Sequence, residues 1–288
     1  MQIQAFEDYM KRLLRDNSRE SCIRWVKQFE SWRVEHKYDL TYDKLVRDFA
    51  THLYEKGKAY SSIKTGMTWV RRYLRWLGES QEVASQKQFE IPKTYYKELY
   101  CPTKDVVDGI LNARNSISMP YGYAIYLLSV TGMRDSELIN LKYNDWNVVR
   151  GDNGIPHISF RLTITKNGKP RDVPMLKEAD SIFKEYVNRI RPEILGNVES
   201  IWLFPQQKNP DKPILRKNVE FYMRNLRKAL GNTEVTCHSL RRYYVTKLMA
   251  EKIPAETVAK IIGHSNMRNF ARYFRPSAEH LADALGEL

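Results

Sequence analysis

The residues of this 288-residue chain best equipped for chemistry gather late in the sequence. Between Cys237 and Pro276 lie His238 and Arg241 in a His-Ser-Leu-Arg run, His264 directly after Gly263, and Tyr273 nine residues beyond His264. Upstream, Arg134 sits in the run TGMRDSEL with Glu137 three positions on, and Lys166 and Lys169 bracket an Asn-Gly pair. Guanidinium groups bind phosphoryl oxygens bidentately, so the set reads as a phosphate-handling site with a nucleophile and no metal. Each member alone has a plainer account. Arg134 and Glu137 could be a surface ion pair, a lysine beside a hairpin turn is commonly a solvated edge residue, and a polar residue after a helix-ending glycine needs no function. Only the ordered combination points to chemistry.

The elements that must position these residues belong to a strongly basic protein. Lys and Arg outnumber Asp and Glu by 47 to 34, a net charge of +13, which implies a polyanionic partner. Nucleic acid is favoured over a membrane surface because no apolar run is long enough to span a bilayer. Cys22, Cys101 and Cys237 are scattered and odd in number, which excludes a disulfide framework and a CxxC metal cluster. The start, MQIQAFEDYMKRLL, lacks the apolar core of a signal peptide, so a reducing, cytoplasmic setting is expected.

Four helical patterns fill residues 1 to about 78, with Asn17-Ser18 as caps of the second. The fourth carries Lys64, Arg71, Arg72 and Arg75 among Trp69, Tyr73 and Trp76. The aromatics belong to a core, and the four cations are candidate contacts to DNA phosphates. Residues 79 to 102 lose the helical period and hold two prolines. The reading is a helical domain over 1–80, a linker over 81–102 and a second domain over 103–288, the linker letting two basic modules close around a duplex.

In the second domain one helix opens at Thr103. Another begins after Pro120 and runs into TGMRDSELINL, which puts Arg134 and Glu137 on one helix face. The segments 157–165 and 169–175 flank Asn167-Gly168, a favoured hairpin turn. Helices follow at about 177–190 and 216–230, with an extended piece at 202–205. His238 and Arg241, three apart, share a helix face, and a last helix runs from Pro254 to Gly263. The expected fold is mainly α with a small antiparallel β-hairpin or sheet.

Taken in order, Arg134 in TGMRDSEL, Lys166 at a hairpin, HSLR, Gly263-His264 and Tyr273 resemble the tyrosine recombinases, or phage-integrase family. The resemblance covers essentially the whole chain and is closest to compact, two-domain members of Xer type. It implies an N-terminal helical core-binding domain, SAM-like, and a C-terminal catalytic domain. The run RNFARYF departs from the Thr-Thr-Gln-Ile type that often precedes the family's tyrosine, so Tyr273 is assigned by its distance from His264. Tyr243 and Tyr244 lie inside the HSLR helix and are poor candidates for a mobile nucleophile. Lys166 takes the place of the family's lysine, with Lys169 as the fallback.

The resemblance also implies a mechanism. Tyr273 is the nucleophile; with a resting pKa of about 10, only about 0.1% is ionised at neutral pH, so it needs help. Arg134 and Arg241 bind the non-bridging oxygens, and Lys166 protonates the departing 5′-oxygen. His238 works in acid–base chemistry near the tyrosine, His264 donates a hydrogen bond to phosphate, and Glu137 orients the site. The product is a 3′-phosphotyrosyl link, whose conserved bond energy removes any need for ATP, metal or other cofactor. The expected partners are double-stranded DNA carrying a recombination site and three further copies in a tetrameric synapse. The tail SAEHLADALGEL, with Leu281, Ala284, Leu285 and Leu288 on one side, packs on its own domain or on a neighbouring protomer. A type IB topoisomerase or telomere resolvase would use the same chemistry, and a DNA-binding relative without catalysis would share only the fold.

Overall fold

Apolar residues recurring every three or four positions fold the start of the chain into four helices: α1 (Gln2–Lys11), α2 (Asp16–Glu35), α3 (Leu45–Glu55) and α4 (Tyr60–Leu77). The computed structural model describes residues 2–79, 83, 99–151, 154–165 and 168–264. Phe6, Met10, Phe29, Phe49, Leu53 and Tyr73 are fully buried together. Phe6 meets Tyr73 edge-on at 5.1 Å between ring centroids, and Phe29 meets Phe49 at 5.3 Å, a geometry that the ring quadrupoles favour. The cap of α2 differs from expectation. Arg15 is the N-cap, with no side-chain bond, and Asn17 and Ser18 fall inside the first turn, where the Ser18 N–H donates to the Arg15 carbonyl at 3.0 Å.

The chain divides into two compact units, Met1–Lys97 and Glu98–Leu288. The second begins its described part with α5 (Lys104–Ala113), preceded by Thr103 at the N-cap position without a side-chain bond, and α6 (Tyr121–Thr131). Every residue of α6 is buried, as expected of a helix that is apolar on all sides. It is the central post of this unit, with α5, α10 (Arg216–Ala229) and α11 (Cys237–Ala250) packed around it.

The helix after Pro120 does not run on into TGMRDSELINL. It stops at Gly132, which adopts φ 61°. A Cβ at this position would lie 2.4 Å from Cδ1 of Tyr244, so the residue must tolerate both a left-handed backbone and contact with a ring. Only glycine does. The chain re-enters helix as the single turn α7 (Asp135–Leu138), so Arg134 is the residue before that turn, in extended conformation, and not part of a helix face.

The sheet has three strands in the order β1-β2-β3, all antiparallel: β1 (Trp146–Arg150), β2 (Pro156–Leu162) and β3 (Arg171–Pro174). Strand β1 was not anticipated. Asn147 to Arg150 are all exposed, so the strand lacks the inside–outside alternation by which strands are read. The β2–β3 ladder closes at Leu162↔Arg171, four residues short of Asn167 on one side, so the turn is not a two-residue hairpin. In the connection, where Lys166 and Asn167 lie outside the described residues, the Gly168 N–H donates to the Thr165 carbonyl at 3.2 Å and the Thr165 hydroxyl donates to the Lys169 carbonyl at 2.9 Å. The helix expected to end near 190 continues. From α8 (Asp180–Glu185) it passes through a π-helical stretch, Tyr186–Ile190, into α9 (Arg191–Leu195). The last helix among the described residues, α12 (Ala255–Ile262), follows α11. Among the described residues no helix is long and apolar enough to cross a membrane.

Replacing Gly132 by alanine should destabilise the protein by more than about 2 kcal/mol, the left-handed penalty of roughly 1–2 kcal/mol adding to overlap with Tyr244. Urea unfolding measures this; a change below about 0.5 kcal/mol would mean that the α6 end is not held against the ring.

Candidate active site

Helix α11 starts with a reciprocal cap. The Ser239 N–H donates to the Thr236 hydroxyl at 3.0 Å, and the Thr236 N–H donates to the Ser239 hydroxyl at 2.7 Å, which satisfies two donors at the helix start. His238 is thereby fixed in the first turn, and Arg241 one turn later on the same helix. Arg241 is 1% exposed. Its Nη1 donates to the Gly132 carbonyl at 2.6 Å, and its Nη2 donates to the Ile262 carbonyl. The glycine that ends α6 therefore also supplies an acceptor to the arginine of α11.

The end of α12 is the second anchor. Gly263 has φ 69°, its N–H donates to the Lys260 carbonyl at 3.0 Å, and the His264 N–H donates to the Ala259 carbonyl at 2.9 Å. This is a Schellman ending. It leaves the last carbonyls of the helix without intrahelical donors, and three arginines supply them. Arg171 Nε donates to Ile261 at 2.8 Å, Arg241 Nη2 to Ile262, and Arg134 Nη2 to Gly263 at 3.4 Å. Cations are favoured here, because the aligned peptide dipoles concentrate about half a negative charge at a helix C-terminus.

Two of these arginines share one carboxylate. Glu137, 3% exposed, accepts from Arg171 Nη1 at 2.9 Å and Nη2 at 2.7 Å, from Arg134 Nη1 at 2.8 Å and from the Arg134 backbone N–H at 2.8 Å. Burial alone would raise its pKa. The hydrogen bonds from Arg171, the Arg134 N–H and the two guanidinium charges outweigh burial and hold the carboxyl below its ordinary range. Three guanidiniums against one carboxylate leave this cluster with an excess of two positive charges, an environment made for an anion.

The same charge acts on the histidines. Burial first, then Arg241, Arg134, Arg171 and His238, push the His264 pKa down to about 4. His238 is also lowered, first by burial; the pull of Asp135 opposes the shift, and the repulsion of Arg241, Arg242 and Arg134 adds to it. Both imidazoles are neutral at pH 7, each with one N–H to donate and one nitrogen to accept. His238 borders a cavity of about 430 Å³ that Asp135, Arg216, Arg224 and Arg227 also line, and Arg216 Nε donates to Asp135 at 2.8 Å, joining α10 to α7.

The structure thus brings Arg134, Glu137, Arg241 and His264 to one helix end, with His238 one turn before Arg241. Sequence reasoning missed Arg171. Its signal was the alternation of β3, in which Arg171 shares the inward face with the buried Val173, so a cation stands where an apolar residue belongs. Lys166 and Tyr273 lie outside the described residues, as do most of the proposed linker and the whole C-terminal tail. Lys169 is exposed. Tyr243 and Tyr244 are core residues: burial pushes Tyr243 up to about 12, and the Tyr244 hydroxyl donates to the Pro174 carbonyl at 2.6 Å. In the first unit Lys64, Arg71 and Arg75 recur at i, i+7 and i+11 along one stripe of α4, with Lys64 and Arg75 exposed. Arg72 lies off that stripe, its charge felt by Cys22.

The sequence profile of the phage integrase family matches residues 102–280. The chain belongs to the phage integrase family. It is a tyrosine-type site-specific recombinase of Xer-like plan, an enzyme that cleaves and rejoins DNA. The tyrosine recombinase XerA of Pyrococcus furiosus is 26% identical over 285 residues, which cover 98% of this chain and 93% of the relative. Two solved structures share the fold of this integrase-family chain. The Tn1549 transposon integrase in complex with transposon right-end DNA has a TM-score of 0.70 at 16% identity, covering 100% of this chain and 99% of that one. A lambda integrase dimer bound to a COC′ core site has a TM-score of 0.69 at 18% identity, covering 94% and 93%.

The depressed His264 pKa carries a stability consequence. Between about 4 in the folded recombinase and about 6.5 in the unfolded chain, the unfolded state binds more protons. Stability from this group is therefore present above pH 6.5 and is lost as the pH falls toward 4. His264→Gln, which cannot take up that proton, should lose less melting temperature than wild type between pH 7 and pH 4.5. Equal slopes in thermal melts would show that the imidazole is not held neutral.

Proposed function

We propose that this recombinase cuts double-stranded DNA at a specific site through a 3′-phosphotyrosyl intermediate and rejoins it to a second site within a homotetrameric synapse. The observation that carries the reading is the meeting of Arg134, Arg241 and His264 at the C-terminus of α12, although Arg134 and Gly263 are 129 residues apart in sequence. The terminal carbonyls of α12 and Glu137 only partly offset the guanidiniums gathered there, so the cluster keeps excess positive charge beside a neutral imidazole. A phosphodiester supplies the missing anion.

In the proposed reaction the Tyr273 oxygen attacks phosphorus, the bond from phosphorus to the 5′-oxygen breaks, and Lys166 gives that oxygen its proton. Arg134 and Arg241 stabilise the charge that builds on the non-bridging oxygens, for which each preorganised donor contributes about 10²–10³ in rate. Neutral His264 donates to the phosphate, neutral His238 accepts the proton that the Tyr273 hydroxyl releases, and Glu137 holds Arg134 in orientation. Rejoining reverses the step with a 5′-hydroxyl as nucleophile, so the bond count balances without ATP, metal or other cofactor.

The DNA partner is supported by the net charge of +13, by the cationic stripe of α4 and by the DNA on which both solved relatives were captured. Lys64, Arg71 and Arg75 would position the first unit on the phosphate backbone, with Arg72 at the margin. Free thiols at Cys22, Cys101 and Cys237 accord with a cytoplasmic setting.

On nicked suicide DNA carrying the cognate site, the wild-type protein should form a covalent protein–DNA adduct and Tyr273→Phe should form none. An adduct that survives in the Phe variant would move the nucleophile elsewhere. Affinity should also fall with salt, by roughly 0.9 in log K per unit of log salt for each phosphate neutralised; a flat dependence measured by fluorescence anisotropy would rule out a backbone-clamping mode.

A further inference from the structure

Arg171 has no part in the chemistry just proposed, yet its guanidinium makes three hydrogen bonds at the site. Its side chain is 10% exposed. Both of its terminal nitrogens lie on the Glu137 carboxylate and its Nε on the Ile261 carbonyl, so the plane of the guanidinium is set on two edges at once. Glu137 in turn has no freedom left. Oε1 takes Nη1 of both arginines, and Oε2 takes Arg171 Nη2 and the Arg134 N–H. A carboxylate has about four lone-pair directions, and four donors occupy them. It cannot rotate without breaking an arginine contact.

We propose that Arg171 is a positioning residue for strand cleavage: through Glu137 it sets the orientation of Arg134, and through the Ile261 carbonyl it sets the turn that presents His264. It does this without touching the DNA phosphate. Arg171 comes from β3, at the last rung of the ladder opposite Leu162, so it also ties these two groups to the sheet. A lysine could not do the same. An ammonium is a point donor on a flexible stem, whereas the guanidinium spans both carboxylate oxygens and the carbonyl in one plane. Arg171 also adds, after burial, Arg241 and Arg134, to what keeps His264 neutral, so its loss should raise the pKa of that imidazole.

The inference rests on the proposed DNA cleavage, and the experiment separates the two. Wild type, Arg171→Gln, Arg171→Lys, Glu137→Gln and the double variant Glu137→Gln/Arg171→Gln are compared on suicide DNA for single-turnover cleavage rate and for DNA affinity. All are held well below their melting temperatures. Misplacement of a reacting group by about 1 Å can reduce a rate about 10²-fold. Arg171→Gln should therefore cleave about 10²-fold more slowly with affinity within about twofold of wild type, and Arg171→Lys should recover less than tenfold of that loss. Because Arg171 acts through Glu137, the double variant should be no slower than the worse single variant. It also provides a foldable test if Arg171→Gln alone does not fold, since removing both members of a buried pair is milder than removing one. The pH–rate profile should gain an acid limb at higher pH as His264 becomes protonatable.

Cleavage within threefold of wild type in a folded Arg171→Gln protein would reduce Arg171 to a stabilising contact. Affinity lost in step with rate would instead make it a direct phosphate ligand. Losses that multiply in the double variant would break the link through Glu137. Failure of wild type itself to form an adduct would overturn the proposed function, and this inference with it.

Discussion

The active-site half of this molecule depends on one buried carboxylate. Glu137 stands between two guanidiniums at the end of a helix whose terminal carbonyls those guanidiniums also serve. Removing one member of a buried ion pair commonly costs about 3–5 kcal/mol, because a charge is left without compensation. Here the loss would pass to three elements, since these bonds join α7, β3 and α12. The helix end is more than a site of attachment: its carbonyls supply negative partial charge that lets three cations sit together without DNA.

That arrangement adds to burial in keeping the histidines neutral. An imidazole half removed from water and beside excess guanidinium charge is disfavoured from taking a proton. Arginines outnumber carboxylates around both histidines, which suits a ligand that brings its own negative charge.

Much of this was legible in the sequence where local signals and global packing agree. The four helices of the first unit, α5 and α12 follow apolar periods and glycine stops, and the site residues Arg134, Glu137, His238, Arg241 and His264 stand out by type and spacing. What escaped had local signals that were weak or misleading. Strand β1 turns Val148 and Val149 to solvent, so its alternation is absent. The Asn-Gly pair advertised a two-residue turn that the β2–β3 register does not use. The relation between Arg134 and Glu137 was read at helical spacing, yet the bond between them is that of a residue preceding a helix and the third residue within it. Arg171 was overlooked because its partners come from α7 and α12, which no short window contains.

Gly132 shows how deep the dependence runs. Its left-handed backbone ends the buried post α6, brings the chain hard against Tyr244 and turns a carbonyl toward Arg241. Tyr244 is held in turn by its hydroxyl on Pro174 at the end of β3. The same few residues that let α6 stop therefore place Arg134 just beyond the stop, seat Arg241 behind it and fix the strand that carries Arg171. A larger residue at position 132 would not merely strain a turn. It would shift the backbone from which Arg134 follows and on which Arg241 is seated.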